Sequence, residues 1–240
     1  MSKIRIYLQP GRITDVVKIG DKTLIHKIKN VLRLASADII YIFDGLGKEY
    51  TYRIENIKKN TLSLKQESIL RVSNQRDSKV TLAFPIEKEE RVDFILQKAT
   101  EFGVSDFLPF SSQRSLRQKV SPQRLKRWQR IIVEAVRQSE RLWIPGIREV
   151  STFKAIAESD YRIKLAGSIK GQAFEKVLNK EHSNILFIVG PVGDFSLQEF
   201  GILEENQFKL VKLASQVLRV ETAAIFAVGF LNYFFLNNES

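Results

Sequence analysis

The chain has 240 residues, of which 44% are hydrophobic and 27% charged, a composition that supports a buried core and excludes disordered, collagen-like and low-complexity classes. It has no cysteine, which excludes disulfides, thiolate zinc sites, iron–sulfur clusters and a cysteine nucleophile. The amino terminus has no apolar stretch of signal-peptide length, and the longest apolar run, residues 223–235, is too short to cross a bilayer. We therefore expect a cytoplasmic protein without a metal ion.

The net charge of +11 favours a polyanionic partner over a small neutral one. The charge is uneven, because residues 1–75 contain 14 basic and 7 acidic side chains. We expect the first third of the chain to contact nucleic acid. A basic surface that only improves solubility is the alternative.

Short alternating runs at residues 4–8, 39–43, 50–54 and 61–64 predict the strands of a small β-barrel. Apolar residues at helical spacing predict one or two helical turns over residues 22–34. The polar stretch 72–78 has no periodicity and predicts a linker, with a domain boundary near residue 75.

Strands and helices alternate after this boundary, which predicts an α/β domain with a mostly parallel sheet. We expect strands at 80–84, 107–110, 162–166, 185–189 and 208–213, and helices at 85–102, 122–142 and 221–235.

A buried strand at 185–189 runs into the glycine turn of residues 190–196, where Ser196 and Glu199 have the spacing of a capping box for a following helix. Small residues at a strand end allow a cofactor to approach the backbone closely. The local pattern alone favours a tight strand–helix turn without a ligand, because Gly-x-x-Gly is a weak signal.

A second strand end, at residues 211–222, carries Arg219 just before an apolar helix. Arg219 could stabilise negative charge on a substrate, or it could serve as an ion-pair partner of Glu221. The spacing alone does not choose between these roles.

A third segment, residues 114–130, has seven basic residues and no acidic one, which favours contact with phosphates. No Ser-His-Asp order, carboxylate pair or histidine-rich ligand set is present, which disfavours hydrolases and metalloenzymes. His26 lies in an amphipathic helical pattern and is expected to be structural or to face phosphate.

Several motifs occur in an order that resembles the ribosomal RNA small subunit methyltransferase E family. They are KATEFGV at 98–104, SQRS at 112–115, RWQRIIVEAVRQS at 127–139, GPVGDFS at 190–196 and LASQVLRVETA at 213–223. His26, the Val31-Leu32-Arg33 run and the Phe43-Asp44-Gly45 turn match its amino-terminal part. The resemblance thus covers nearly the whole chain.

The resemblance implies a PUA-like, RNA-binding β-barrel over residues 1–74 and a SPOUT-class methyltransferase domain over 75–240, with a parallel sheet and a carboxy-terminal trefoil knot. It also implies a homodimer that methylates N3 of a uridine in small-subunit ribosomal RNA with S-adenosylmethionine (SAM), without a metal. Transferred to this sequence, the cofactor-binding positions are Leu165, Ala166, Gly167, Val189, Gly190, Pro191, Val192, Gly193, Leu213, Ala214, Gln216, Val217 and Leu218.

Other functional positions follow from the same motifs. Arg219 is the candidate for stabilising the uracil anion or a nearby phosphate, and Glu101 and Glu134 are candidate general bases or structural ion-pair partners. Arg114, Glu134 and Gln138 are expected to shape the nucleotide pocket. The expected phosphate contacts are Lys27, Lys29, Arg33, Arg117, Arg124 and Arg127.

The sequence departs from the family pattern at Val192 and Asp194, where the family has Glu and Gly, and at Ala214 and Gln216, where it has Gly and Arg. Two charged groups beside the cofactor loops are thereby lost. The alternative hypothesis is therefore a non-catalytic RNA-binding or ribosome-assembly protein on the same fold. An enzyme that acts on a small-molecule nucleotide is a third possibility, but it does not explain the positive charge of the predicted barrel.

Overall fold

The computed structural model describes residues 4–74, 80–112, 120–178 and 184–236. The chain forms two compact units, one of residues 1–76 with 139–144 and the other of residues 77–138 with 145–240. Residues 139–144 thus belong to the first unit, which no local sequence pattern predicted.

The first unit is built on a five-stranded sheet with the strand order β1-β3-β4-β5-β2. Its elements are β1 (Arg5–Tyr7), β2 (Val16–Ile19), α1 (Lys22–His26), β3 (Ile39–Phe43), β4 (Lys48–Ile57) and β5 (Leu62–Val72). Inward-facing residues such as Ile40, Ile42 and Tyr52 are fully buried in one apolar cluster with Ile28. The small β-rich domain predicted from the alternating pattern is confirmed.

The one or two helical turns predicted over 22–34 are present as a short α-helix, capped by Asp21, and a π-helical turn at Lys27–Val31. Two details of this unit differ from the prediction. Strand β2 was not predicted. Strand β5 extends beyond the predicted 61–64 to Val72, the first residue of the expected linker, because residues 65–72 pair with the long strand β4.

The second unit contains a seven-stranded sheet with the order β12-β10-β11-β6-β7-β8, in which β9 also pairs with β7. Its strands are β6 (Val80–Pro85), β7 (Asp106–Ser111), β8 (Gly146–Ile147), β9 (Ser151–Thr152), β10 (Ile163–Gln172), β11 (Ile185–Ile188) and β12 (Lys209–Val211). All the pairings are parallel, which confirms the predicted parallel α/β sheet. The predicted trefoil knot stays a prediction.

The helices of this unit are α2 (Glu89–Glu101), α3 (Pro122–Gln138), α4 (Phe153–Ala157), α5 (Leu197–Glu205) and α6 (Val220–Leu236). Helix α2 begins four residues later than predicted, because the extended chain continues through Ile86, whose N–H donates to the Phe110 carbonyl at 2.9 Å. Helix α5 has the predicted capping box between Ser196 and Glu199.

Strand β11 lies between β10 and β6, although it follows both in the sequence. The carboxyl ends of parallel strands meet at one edge of the sheet, where open α/β sheets bind their ligands. The chain segments that follow β10, β11 and β12 are therefore brought together at this edge.

Two features are absent from the described ranges. No helix among these residues is long and apolar enough to cross a membrane. The same residues contain no group of three or more histidine or acidic side chains placed to hold a metal ion.

Candidate active site

A cavity of about 500 Å³ lies beside residues 167–169 of β10 and the carboxyl ends of β11 and β12. Its volume is in the range of pockets that hold small molecules and cofactors. The chain lines it with Arg91, Gly167, Ser168, Ile169, Val189, Gly190, Pro191, Val192, Gly193, Asp194, Leu213, Ala214, Gln216, Val217, Leu218, Arg219, Val220 and Ala223.

The loop after β11 is a tight turn closed by a 3.0 Å hydrogen bond from the Asp194 N–H to the Pro191 carbonyl. Gly193 occupies its third position with φ of +87°, a conformation that favours glycine. Asp194 follows with φ of +67°, and its carboxylate accepts from the Phe195 N–H at 2.8 Å. Short polar side chains tolerate the left-handed region through such local hydrogen bonds, so aspartate fits where the family has glycine.

Two other glycines of the cavity pack their backbone closely on aromatic rings. A Cβ atom on Gly167 would lie 3.3 Å from the Phe187 ring, and one on Gly190 would lie 3.3 Å from the Phe195 ring. Both distances are tighter than ordinary carbon–carbon contacts. A side chain at either position would therefore displace a ring that packs beneath the cavity.

Several apolar side chains that line the cavity are exposed to solvent. Val217 is 84% exposed, Val192 58% and Ile169 46%. Contiguous exposed apolar surface marks ligand-binding grooves and interfaces, because water contact costs free energy there. These three side chains offer an apolar face to a planar or aliphatic ligand group.

Three charged side chains line the cavity: Arg91, Arg219 and Asp194. Arg91 is held by Glu87 at 3.5 Å and by Glu221 at 4.0 Å. Glu221 thus pairs with Arg91, whereas the part of the chain that the structure describes places no carboxylate within 4.0 Å of the Arg219 guanidinium. The Arg219–Glu221 ion pair, one of the two roles considered for Arg219, is not among the ion pairs of the described residues.

Most of the predicted cofactor-binding residues line this cavity. The exceptions are Leu165 and Ala166, which are fully buried within strand β10 and do not line it. The Gln216 amide oxygen accepts a hydrogen bond from the Ser215 hydroxyl at 2.9 Å. Arg91, Ser168, Ile169, Val220 and Ala223 also line the cavity without having been predicted, and for Arg91 no local pattern in α2 pointed to this role.

The two candidate general bases lie elsewhere, because neither Glu101 nor Glu134 lines the cavity. The Lys98 ammonium donates to both Glu101 oxygens at 2.9 Å. Glu134 accepts from Arg137 and, at 3.2 Å, from Gln138. Both carboxylates thus have the ion-pair partners that the structural alternative anticipated.

The predicted RNA contacts on α3 are engaged with α2. Arg124 donates to the Glu87 carbonyl at 3.1 Å and lies over the Trp128 ring, and Arg127 pairs with Glu89 and Asp93. Burial raises the pKa of the Asp93 carboxyl above its ordinary value, although the positive charge of Arg127 opposes this shift.

Other predicted RNA contacts are more open. Lys27, Lys29 and Arg33 are exposed around the π-helical turn of the first unit. The adjacent His26 ring is also exposed and lies 2.8 Å from the Asn30 amide nitrogen. Arg114 and Arg117 lie outside the described residues.

Comparison with known families matches both units of the chain. Residues 74–232 match the family described as RNA methyltransferase domain, and residues 17–67 match RNA methyltransferase PUA domain. A ribosomal RNA small subunit methyltransferase E of Rickettsia conorii is 30% identical over 94% of this chain and 93% of its own length. The protein of that name from Bacillus subtilis is 27% identical, with 87% of each chain covered.

Solved structures give the same result. A ribosomal RNA small subunit methyltransferase E from Neisseria gonorrhoeae, solved with S-adenosyl methionine bound, is 28% identical and superposes with a TM-score of 0.87 over 98% of both chains. A Legionella pneumophila protein solved with the cofactor SAM bound is also 28% identical and covers 98% of both chains, with a TM-score of 0.86.

Proposed function

Because the chain belongs to the ribosomal RNA small subunit methyltransferase E family, we propose that it methylates N3 of a uridine in small-subunit ribosomal RNA, with SAM as the methyl donor. The observation that carries this proposal is the cavity beside residues 167–169 of β10 and the segments that follow β11 and β12. These two segments contain the motifs at 190–196 and 213–223, at which the sequence resembles the family.

The residues of the cavity fit SAM in size and in chemistry. Gly167, Gly190 and Gly193 line the cavity with backbone, and Val192 and Val217 offer apolar surface to the adenosine. Asp194 and the two arginines supply charges of both signs, which suits a ligand with carboxylate, ammonium and sulfonium groups. When bound, SAM supplies an electrophilic methyl group at its sulfonium.

Arg219 is the residue proposed to support the reaction at the uracil. For N3 to accept a methyl group, its proton would have to pass to solvent water, and loss of that proton would leave negative charge on the imide. A guanidinium beside the base stabilises that charge before and during transfer. Arg219 suits this role because it lines the cavity and the described carboxylates do not neutralise it.

We propose that the first unit contacts RNA and that helix α6 contacts a second copy of the chain. Lys27, Lys29 and Arg33 give the first unit an exposed basic surface for the RNA backbone. Helix α6 exposes Phe226 and Tyr233, and apolar surface of this kind fits a second copy of the chain in a homodimer.

A non-catalytic RNA-binding protein is the second candidate. It is favoured by Val192 and Gln216, which line the cavity where the family has charged side chains. If SAM is held mainly by backbone groups, these changes leave its binding intact. If it is held mainly by the charged side chains that this sequence lacks, its binding is abolished.

Two measurements test the proposal. Calorimetric titration of SAM into the purified protein is expected to give micromolar affinity with one site per chain. Incubation with radiolabelled SAM and small-subunit ribosomal RNA or assembled subunits, followed by nucleoside mass spectrometry, is expected to give 3-methyluridine. A different methylated nucleoside would contradict the N3 assignment, and RNA binding without any SAM binding would favour the non-catalytic candidate.

A further inference from the structure

A second cavity of about 500 Å³ lies in the same unit, beside the edge strand β12. It is lined by Lys170, Gly171, Gln172, Lys176, Val177, Lys209 and Leu210. Three of these side chains are lysines and none is acidic. Neither the motifs nor the proposed reaction uses any of them.

The three lysines are exposed, and within the described ranges no carboxylate lies within 4.0 Å of their ammonium groups. Lys170 lies over the Phe200 ring, with its ammonium 5.6 Å from the ring centroid. By contrast, the nearby Lys164 is tied to the Ala157 carbonyl at 3.1 Å. Three like charges around one cavity repel each other, so the arrangement favours a bound anion that offsets this repulsion.

A bulge in β10 connects this cavity to the candidate active site. Gly167 and Gln172 both pair with Val211 of β12, so the residues between them leave the regular ladder. A Cβ atom on Gly171 would lie 2.5 Å from the Val211 backbone, which only glycine avoids. Ser168 and Ile169 of the bulge line the first cavity, whereas Lys170 to Gln172 line the second.

We propose that the Lys170, Lys176 and Lys209 cavity binds phosphodiester groups of the RNA substrate next to the target nucleotide; the substrate is the one named under the proposed function. Ile169 and Gly171 are two residues apart, a separation of at most about 7 Å along the protein chain. An RNA strand whose target base lies at Ile169 therefore has neighbouring phosphates within reach of Gly171. Lysine ammonium groups bind phosphate as point charges, which suits contact with the backbone rather than with a base. The position beside an edge strand leaves room for a continuous polyanion.

The test is the salt dependence of RNA binding by the full chain. A radiolabelled transcript of small-subunit ribosomal RNA is bound on filters between 50 and 300 mM KCl, to the wild type and to the triple variant Lys170→Gln, Lys176→Gln, Lys209→Gln. The matched control removes three charges outside both cavities, with Arg148→Gln, Lys154→Gln and Arg162→Gln. Each lost phosphate contact lowers the slope of log affinity against log salt by about 0.7 to 0.9.

We expect the RNA affinity of the cavity variant at 150 mM KCl to fall at least tenfold. The magnitude of its slope of log affinity against log salt should fall by about 2, and the slope of the control should change by less than half as much. An equal change in both variants overturns the proposal. A titration with inorganic phosphate that detects binding to the wild type, combined with an unchanged RNA slope in the cavity variant, also overturns it, because the cavity then holds a small anion only.

A SAM titration of the same variants separates this proposal from the proposed function. We expect wild-type SAM affinity in the cavity variant, which also shows that it is folded. A wild-type chain that fails to bind SAM or to methylate RNA contradicts the proposed function. The slope difference between the variants then still decides the phosphate site.

Discussion

The Arg5 guanidinium on β1 donates to the Glu49 carboxylate on β4 at 2.5 Å, and both side chains are buried. The second Glu49 oxygen accepts from Arg71 at 2.7 Å, and Arg5 also donates to the Arg141 carbonyl at 2.9 Å. One carboxylate thus joins three strands and, through Arg5, the returning segment 139–144 of the first unit.

We predict that Glu49→Ala destabilises the chain by about 3 to 5 kcal/mol, because it leaves the Arg5 charge buried without its partner. Urea unfolding followed by circular dichroism measures the change. The matched control is Glu67→Ala, which breaks the exposed pair with Arg53 and is expected to cost less than about 1 kcal/mol. Similar costs in the two variants would contradict the importance of the buried pair.

Gly193→Ala is expected to weaken SAM binding, because alanine at a φ of +87° strains the turn by roughly 1 to 2 kcal/mol. Calorimetry would show an affinity loss of about tenfold. Gly201→Ala is the control, since this position lies in α5 with no atom within 4 Å of the added Cβ. That change should leave SAM affinity unaltered and raise stability by about 0.5 to 1 kcal/mol. Unchanged SAM affinity in Gly193→Ala would contradict the role of this turn.

Arg219→Ala is expected to slow single-turnover methylation by about 10² to 10³-fold while SAM affinity changes little, because the guanidinium is proposed to act on the charge of the uracil. Rapid quenching with radiolabelled SAM measures the rate. Arg148→Ala, outside the cavity, provides the control. A wild-type rate in Arg219→Ala would remove Arg219 from the mechanism.

The Tyr52 hydroxyl donates to the Thr14 carbonyl at 2.7 Å and to the Gln66 amide oxygen at 3.0 Å, and burial raises the pKa of Tyr52 to about 12. The unfolded chain ionises this tyrosine near pH 10, so its contribution to stability is complete below pH 10 and is lost as the pH rises towards 12. We predict that Tyr52→Phe is less stable than the wild type at pH 8 and that the difference shrinks above pH 10. Urea titrations at both pH values measure it, and a constant difference would contradict the raised pKa.

Helix α6 gives a prediction on oligomeric state. Phe226 is partly exposed and stacks on Phe230, which in turn stacks on Phe174. We expect a dimer in light scattering at micromolar concentration and a monomer for Phe226→Asp, because a charge there would have to be buried in the interface. Leu197→Asp, at an exposed apolar position on α5, should remain dimeric. A monomeric wild type would contradict the proposed dimer.

Local pattern determined much of this protein in advance. Alternation and helical spacing gave the positions of most strands and helices, and Ser196 with Glu199 gave the start of α5. These features succeed because hydrogen bonding and side-chain direction repeat within a few residues of the chain. The resemblance also predicted a set of cofactor-binding residues, and all of them except Leu165 and Ala166 line one cavity.

The tertiary structure decided what depends on residues far apart in sequence. Arg91 reaches the cavity only because α2 packs near the start of α6, where Glu221 holds its guanidinium. The basic run predicted that Arg124 and Arg127 are available to phosphate. In the structure Arg124 donates to a carbonyl just before α2, and Arg127 pairs with a carboxylate on α2. A sequence pattern contains the charge of a side chain but not its neighbours, and those neighbours decide whether the charge is available to a ligand.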